Sequence, residues 1–403
     1  MNERLRRERE LRGWSLDRAA DELFKLCPDR RKRGDINGNM IHRWELGIHL
    51  PSPYYREKLC QLYGKNAAEL GLIEDRSGKN AAELELIKDQ SNLLLQQGQP
   101  GDLFQFGPIS SSFLILDGDG HHEFSPSNIR CHFQPIFQDL PPDLEARRRK
   151  IQREQDQARS EGRSFYWNGK RFYLDRFIIS REGPDENLAL DLWFGPSDYY
   201  TFLATNMSLD DPAIRSRYIS EEWDQPPRFF SNAFGIYLLV VTRSNEVILT
   251  RRGVFLGSRP LEFNVSMCEG LSASDADPSG VPDLYHCATR GLTEELGLMA
   301  PLDFSSQDIR FLSFGIDIRY AQFCLLGVIK VPCRADDLIR RRRMGVKDRM
   351  ENKQIYVLRF DPQSLASFVV SHSPWAPAGL ACLYHCLVYE FGRDKVDHCL
   401  AAL

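Results

Sequence analysis

Apolar residues recur at helical spacing through the first 63 positions. Leu5, Leu11, Trp14, Leu16, Ala19, Ala20, Leu23 and Phe24 fall on two short helices separated at Gly13, with Ser15 placed to cap the second. A basic loop, Arg30-Arg31-Lys32-Arg33-Gly34-Asp35, interrupts the pattern. The helical spacing resumes over 39–45, stops at Gly47 and Pro51, and restarts at Ser52-Pro53 for a last helix that Gly64 ends. The segment 64–73 then recurs as 78–87, with Gly71 against Glu85 as the one difference. Two copies are too few for a solenoid. They read as a duplication inside a linker that the Gln- and Gly-rich run 93–101 extends.

Beyond the linker, the pattern predicts a strand over 113–116 and an exposed, charged helix over 144–160. Aromatic runs on either side of Asn168-Gly169 predict a hairpin over 165–173, and further strands are expected over 188–194 and 199–203. From about residue 229 the signal sharpens. An apolar strand over 235–242 turns at Ser244-Asn245 into a returning strand over 246–251, and 263–266 forms another. A helix is predicted over 282–296, with Pro282 in its first turn and Gly297 at its stop. Strands follow over 309–314, 321–331 and 355–360, and the helix over 378–391 is apolar on most sides, so it is expected to be buried. The fold class expected is multidomain: an all-α bundle over 1–75, a linker over 76–101, an intermediate α+β region over 102–228, and an α+β sandwich over 229–403 with a C-terminal helix.

Composition narrows this picture. With 403 residues, 42% of them hydrophobic and 27% charged, disorder cannot be the dominant state. No apolar run approaches the length of a membrane span, and no apolar run follows the N-terminus as a secretory signal would require. The ten cysteines are scattered without metal-ligand spacing, so reduced, mostly buried thiols and a cytoplasmic location are expected. The net charge of −4 hides an asymmetry. Residues 1–63 carry 14 Lys+Arg and 10 Asp+Glu, a net of +4, which leaves −8 for the remainder. A basic module on an acidic body suggests two different partners.

The basic module has the parts of a DNA reader. Ala19 and Ala20 permit close helix packing, and the helix over 39–45 exposes Asn39, His42 and Arg43 if Met40, Ile41 and Trp44 face the core. Arg forks to guanine and Asn to adenine in the major groove. Arg6, Arg7 and Arg9, with Arg31 and Arg33 in the loop, would add phosphate contacts. Residues 5–62 resemble the Cro/lambda-repressor-type helix-turn-helix family, most specifically in Trp44-Glu45-x-Gly47-x-x-x-Pro51. The connection over 27–36 is longer than that family's turn. The resemblance implies binding to double-stranded DNA as a homodimer on paired half-sites.

On the acidic body, Arg290-Gly291-Leu292-Thr293-Glu294-Glu295-Leu296-Gly297-Leu298 sits on the predicted helix, with Arg290 one turn before Glu294. Clustered carboxylates suit Mg²⁺, which takes oxygen ligands and bridges phosphates. Residues 229–361 resemble the Nudix hydrolases, whose box G-x5-E-x7-R-E-U-x-E-E-x-G-U (U aliphatic) is matched by Arg290, Leu292, Glu294, Glu295, Gly297 and Leu298. The resemblance implies that Glu294 and Glu295 ligate Mg²⁺ and that Arg290 supports them. Two positions depart: the Glu after the Arg is Gly291, and the earlier box Glu falls at Pro282. The loop 271–281 is stretched and holds Asp275 and Asp277, and Glu269, Asp283 and Glu351 are the candidates to replace the missing carboxylate.

Three further clusters read as structural. Asp117-Gly118-Asp119-Gly120-His121-His122-Glu123 reads as a turn, Cys382 and Cys386 as core, and Arg340 to Arg343 as a solvated loop. The functional expectation is a transcriptional regulator whose Nudix-like body senses a nucleotide-derived small molecule. The alternative is an active Mg²⁺-dependent pyrophosphohydrolase acting on a nucleoside diphosphate derivative, with the helix-turn-helix as its targeting module.

Overall fold

The computed structural model describes residues 2–26, 36–46, 51–65, 67, 69–72, 103–163, 165–220, 222–253, 259–346 and 352–402. The loop carrying Arg31 and Arg33, the second copy of the repeat and Glu351 lie outside the described residues. The chain forms two compact units, 1–90 and 91–403. Among the described residues no helix is long and apolar enough to cross a membrane.

Among the described residues the first unit holds four helices: α1 (Glu3–Leu11), α2 (Leu16–Lys25), α3 (Gly38–Glu45) and α4 (Pro53–Tyr63). Each boundary has a local cause. The Asn2 side chain accepts from the Leu5 amide, Ser15 from Arg18 and Asn37 from Met40, each satisfying a donor that its helix leaves open. Pro53 starts α4 and Gly64, at φ 66°, stops it in the left-handed region. Leu5, Ala19, Ala20, Leu23, Ile41, Trp44 and Leu59 meet in one core. The start of α3 sits so close to α2 that a side chain at Gly38 would overlap Asp17. Arg9 does not fit its expected role as a phosphate contact. Its Nε and Nη2 donate to the two oxygens of Glu45 at 2.6 and 2.8 Å, and both side chains are largely buried.

The second unit is α+β. Its main sheet contains β1 (Leu103–Phe106), β2 (Ile109–Asp117), β6 (Phe234–Val241), β7 (Glu246–Arg252), β8 (Phe263–Asn264), β9 (Met267–Gly270), β10 (Ile309–Asp317), β11 (Gln322–Lys330) and β12 (Asn352–Arg359). The strand order is β1-β2-β10-β11-β6-β7-β12, with β8 paired to β7 and β9 paired to β6. The sheet is mixed: β6 and β11 run parallel, while β10–β11 and β7–β12 are antiparallel. A second sheet of order β3-β5-β4 is made by β3 (Ile129–Phe133), β4 (Lys170–Glu182) and β5 (Asn187–Asp198). The helices are α5 (Pro142–Ser160), α6 (Tyr199–Ala204), α7 (Pro212–Tyr218), α8 (Leu284–Leu296), α9 (Ala335–Gly345), α10 (Pro362–Ser371), α11 (Pro377–Phe391) and α12 (Arg393–Ala401).

Both faces of the main sheet are covered, and this explains the unbroken apolar run at 234–241. Phe234, Ile236, Leu238 and Val240 join one hydrophobic cluster with Ala288 and Leu292 of α8. Tyr237, Leu239 and Val241 join another with Leu380, Leu383 and Leu387 of α11. Successive strand residues point to opposite faces, so burial on both sides turns alternation into a continuous apolar stretch. The helix α11 is buried from Pro377 to Val388, as its composition predicts. The second sheet packs on the α8 side, where Phe177 meets Phe314 and Phe194 meets Phe234 edge to face.

Three local expectations are corrected. The hairpin does not turn at Asn168-Gly169. β4 begins at Lys170 and turns at Gly183 and Glu186, both at positive φ, into β5. Asn168 instead accepts from the Tyr200 amide at 2.9 Å. The strand expected over 199–203 is the helix α6, because the Asp198 carboxylate caps it by accepting from the Thr201 amide at 2.7 Å. The arginines 340–343 belong to α9 rather than a solvated loop. The segment 117–123 is a turn as expected, with Gly118 and Gly120 at positive φ and Asp119 accepting from the His121 and His122 amides. All nine described cysteines are free thiols. Cys382 and Cys386 lie in the core, where both donate to the Gly327 carbonyl.

Candidate functional site

The box helix α8 begins where Asp283 accepts from the Tyr285 and His286 amides at 2.9 and 3.0 Å, and Gly297, at φ 71°, closes it. Asp283 is therefore the cap of this helix. Pro282 precedes the cap and contributes no carboxylate.

Arg290 is the hub. Its Nε and Nη2 donate to the two oxygens of Asp275 at 2.7 and 2.8 Å, and Nη2 also donates to the Gly270 carbonyl at 3.0 Å. Its Nη1 lies 3.1 Å from Glu269 and 3.5 Å from Glu294. Three carboxylates therefore share one guanidinium, which is held well above its ordinary pKa: burial opposes the charge, but the Asp275 hydrogen bonds and the field of Glu269 outweigh it. Asp275 has no exposed surface. Besides Arg290 it accepts from the Ser272 amide at 2.8 Å, so one carboxylate closes the turn and ties the stretched loop to α8. Asp277 has no part in this cluster, since it accepts from Ser279 and Val281 inside its own turn.

Glu295 is oriented by a group the sequence did not reveal. Its Oε1 accepts from the Cys268 amide of β9 at 3.0 Å, and the residue is only 2% exposed. At the end of α8, Arg342 of α9 donates to the Glu295 carbonyl at 2.9 Å, and Arg341 donates to Asp303 at 2.5 Å. Cations at a helix C-terminus complement its negative end. Arg342 is buried, and helical spacing with Asp336 and Asp337 in the first turn was the signal that this basic run was a helix.

The departure at Gly291 has a steric cause. A Cβ there would stand 2.7 Å from Met267 Sδ and 2.8 Å from Glu269 Cβ, so α8 approaches β9 more closely than any side chain permits. Glu269 fills that space and brings its carboxylate to Arg290 from the strand. Among the described residues no group of three or more His, Cys, Asp and Glu side chains is gathered to cage a metal ion. Glu351 lies outside the described residues.

In the first unit, Asn39, His42 and Arg43 are exposed on α3, while Ile41 and Trp44 are buried on its opposite side. The expected pairing of an apolar inner face with a polar outer face is present. Arg31 and Arg33 lie outside the described residues.

No protein-family model matches the chain, and no curated protein matches it. Among solved structures, DR0079 from Deinococcus radiodurans is similar at 11% identity, covering 38% of this chain and 82% of its own, with a TM-score of 0.29. The MutT protein from Methanosarcina mazei is similar at 12% identity, covering 38% of this chain and 89% of its own, with a TM-score of 0.23.

Proposed function

We propose that the protein is a DNA-binding transcriptional regulator whose Nudix-like body senses a nucleotide-derived small molecule. The observation that carries this reading is the outer face of α3, where Asn39, His42 and Arg43 stand exposed opposite the buried Ile41 and Trp44. These side-chain types read base edges in the major groove, and the unit that bears them has the basic excess that phosphate contact needs. Dimeric binding to double-stranded DNA follows from the helix-turn-helix resemblance. On the body, the closed contact at Gly291 removes a box carboxylate while Arg290, Glu294 and Glu295 keep their places, which supports binding without efficient turnover.

Mg²⁺ is the cation the Nudix resemblance implies. Glu294 and Glu295 would hold it, with Glu269 beside them. These hard oxygen donors suit an ion that takes one or two carboxylates and keeps its remaining sites for water and phosphate. When bound, it supplies charge neutralisation at phosphate oxygens and a more acidic water. The chain's own residues do the rest: the Cys268 amide fixes one oxygen of Glu295, and Arg290 draws Glu269 and Glu294 to one guanidinium nitrogen.

A specific observation favours the alternative, a Mg²⁺-dependent pyrophosphohydrolase. Glu269 occupies the space opposite Gly291 and so returns a carboxylate to the cluster from β9. One experiment separates the two readings. DNA from upstream of the chain's own coding sequence is titrated at several salt concentrations, with and without a panel of nucleoside diphosphate derivatives and Mg²⁺, and each derivative is also assayed for phosphate release. The regulator reading expects steep salt dependence, a derivative that changes DNA affinity, and negligible turnover. A flat salt response would sink it, and turnover abolished by Glu295→Gln would establish the enzyme.

A further inference from the structure

Arg171 of β4 is a cation without a carboxylate partner among the described residues, and it lies over the carboxylate cluster's own backbone. Its Nη1 stands 2.8 Å from where a Cβ on Gly270 would be, so the guanidinium lies directly against the Gly270 backbone and a side chain there would displace it. Gly270 is also the residue whose carbonyl accepts from Arg290, and Arg171 bridges by its backbone to Ser272 of the loop that Asp275 folds. The second sheet thus delivers a positive charge to the edge of a site whose residues all come from β9, α8 and their connecting loop.

An aromatic surface continues from that charge. The Arg171 guanidinium lies over the Tyr199 ring, 4.9 Å from its centroid, and Tyr199 meets Tyr166 edge to face at 5.9 Å. The Tyr199 amide donates to the Gly169 carbonyl, and the Gly169 amide donates to the Trp167 carbonyl, each at 3.0 Å. These bonds hold the segment that replaces the expected hairpin. That segment leaves Trp167 70% exposed beside a partly exposed Tyr166. A Trp ring in this position offers a large, rigid flat face on which a planar group can stack. A guanidinium seated on Tyr199, with Tyr166 and the exposed Trp167 continuing from that ring, has the chemistry to take an anion joined to a planar ring.

We propose that Arg171, with Tyr166, Trp167 and Tyr199, forms a binding rim through which the second sheet completes the site, Arg171 taking a phosphate of the ligand and Trp167 stacking on its aromatic base. This rests on the reading of the β9–α8 cluster as a Mg²⁺-diphosphate site, and the test keeps the two apart. The full-length protein is titrated calorimetrically with ADP and with inorganic pyrophosphate, each with Mg²⁺. Tryptophan fluorescence is followed in parallel. The wild-type protein binds ADP at least about tenfold more tightly than pyrophosphate, because base stacking adds to the phosphate contact. Arg171→Ala weakens both ligands about tenfold or more. Arg171→Lys, which keeps the charge and the Tyr199 contact, weakens them less and guards against a folding defect. Trp167→Ala weakens ADP about tenfold and leaves pyrophosphate unchanged, and Trp167→Phe removes the ADP-induced fluorescence change while retaining most of the affinity.

Arg171→Ala or Trp167→Ala binding ADP like the wild type overturns the rim. If Glu294→Gln with Glu295→Gln abolishes binding while the rim variants do not, the cluster reading stands alone. If the rim variants lose binding and the paired Glu variants do not, the cluster reading fails and the rim survives. A wild-type protein that binds neither probe overturns both.

Discussion

Gly291 of α8 and Glu269 of β9 occupy one another's space: a Cβ on the glycine would lie 2.8 Å from the Cβ of the glutamate. The helix sits close to the strand because position 291 has no side chain, and the strand then supplies the carboxylate that the helix lacks. Glycine inside a helix costs about 1 kcal/mol relative to alanine, so this close approach is maintained against helix propensity.

Gly291→Ala therefore has opposite effects in two backgrounds. Alone, it overpacks against a Cβ fixed to the strand backbone and destabilises the protein by about 1–3 kcal/mol, despite the gain in propensity. Combined with Glu269→Gly, the obstruction that remains is Met267 Sδ, on a flexible chain, and the substitution becomes neutral or stabilising. Urea unfolding of the two single variants and the double variant measures the coupling. Simple additivity would show that the contact is not what excludes a side chain.

Arg290→Ala destabilises the second unit by about 3–5 kcal/mol. It leaves Asp275, which has no exposed surface, without its charged partner. Arg290→Lys recovers part of this, because an ammonium cannot reproduce the paired bonds to both Asp275 oxygens. Denaturation curves followed by tryptophan fluorescence provide the check.

In the first unit, the exposed and buried polar residues separate cleanly by assay. Asn39→Ala leaves unfolding within about 0.5 kcal/mol of wild type, as expected for a surface position, and weakens specific DNA binding by about 1–3 kcal/mol. Arg9→Ala behaves in the reverse sense. It abandons Glu45, which is 3% exposed, and costs about 3–5 kcal/mol of folding stability. Filter binding and thermal unfolding on the same samples distinguish a reading residue from a structural one.

The buried His385 of α11 gives the protein an acid limit. It pairs with the Ser313 hydroxyl at 2.5 Å, and burial, reinforced by the Arg393 charge, lowers its pKa from 6.5 to about 4. The folded value lies below the unfolded one, so the unfolded chain binds more protons between them. The stability associated with neutral His385 is complete above pH 6.5 and is lost as pH falls toward 4. That window corresponds to about 3 kcal/mol. His385→Gln should lower stability at pH 7 yet flatten its decline from pH 7 to 4.5, measured by urea midpoints across the range. An unchanged slope would assign the decline to other groups.

The sequence by itself determined much of the local structure. Helical spacing, caps and glycine stops located α1 to α4 and α8, because these signals act within one or two turns. The apolar run over 235–242 marked a strand, and the composition over 378–391 marked a buried helix. Arg290, Glu294 and Glu295 were legible because one helix carries them. Long-range packing decided the rest. Only the approach of α8 to β9 explains Gly291 and brings Glu269 to Arg290, and only the folding of the loop turns Asp275 from a linker acid into the main partner of Arg290. Only the tertiary arrangement, likewise, buries Arg9 against Glu45, turns Arg341 and Arg342 onto the end of α8, and redirects Asn168-Gly169 from a hairpin to the support of α6. These depend on which elements face each other across the fold, and side chains distant in sequence acquire partners only when the sheets and helices close around them.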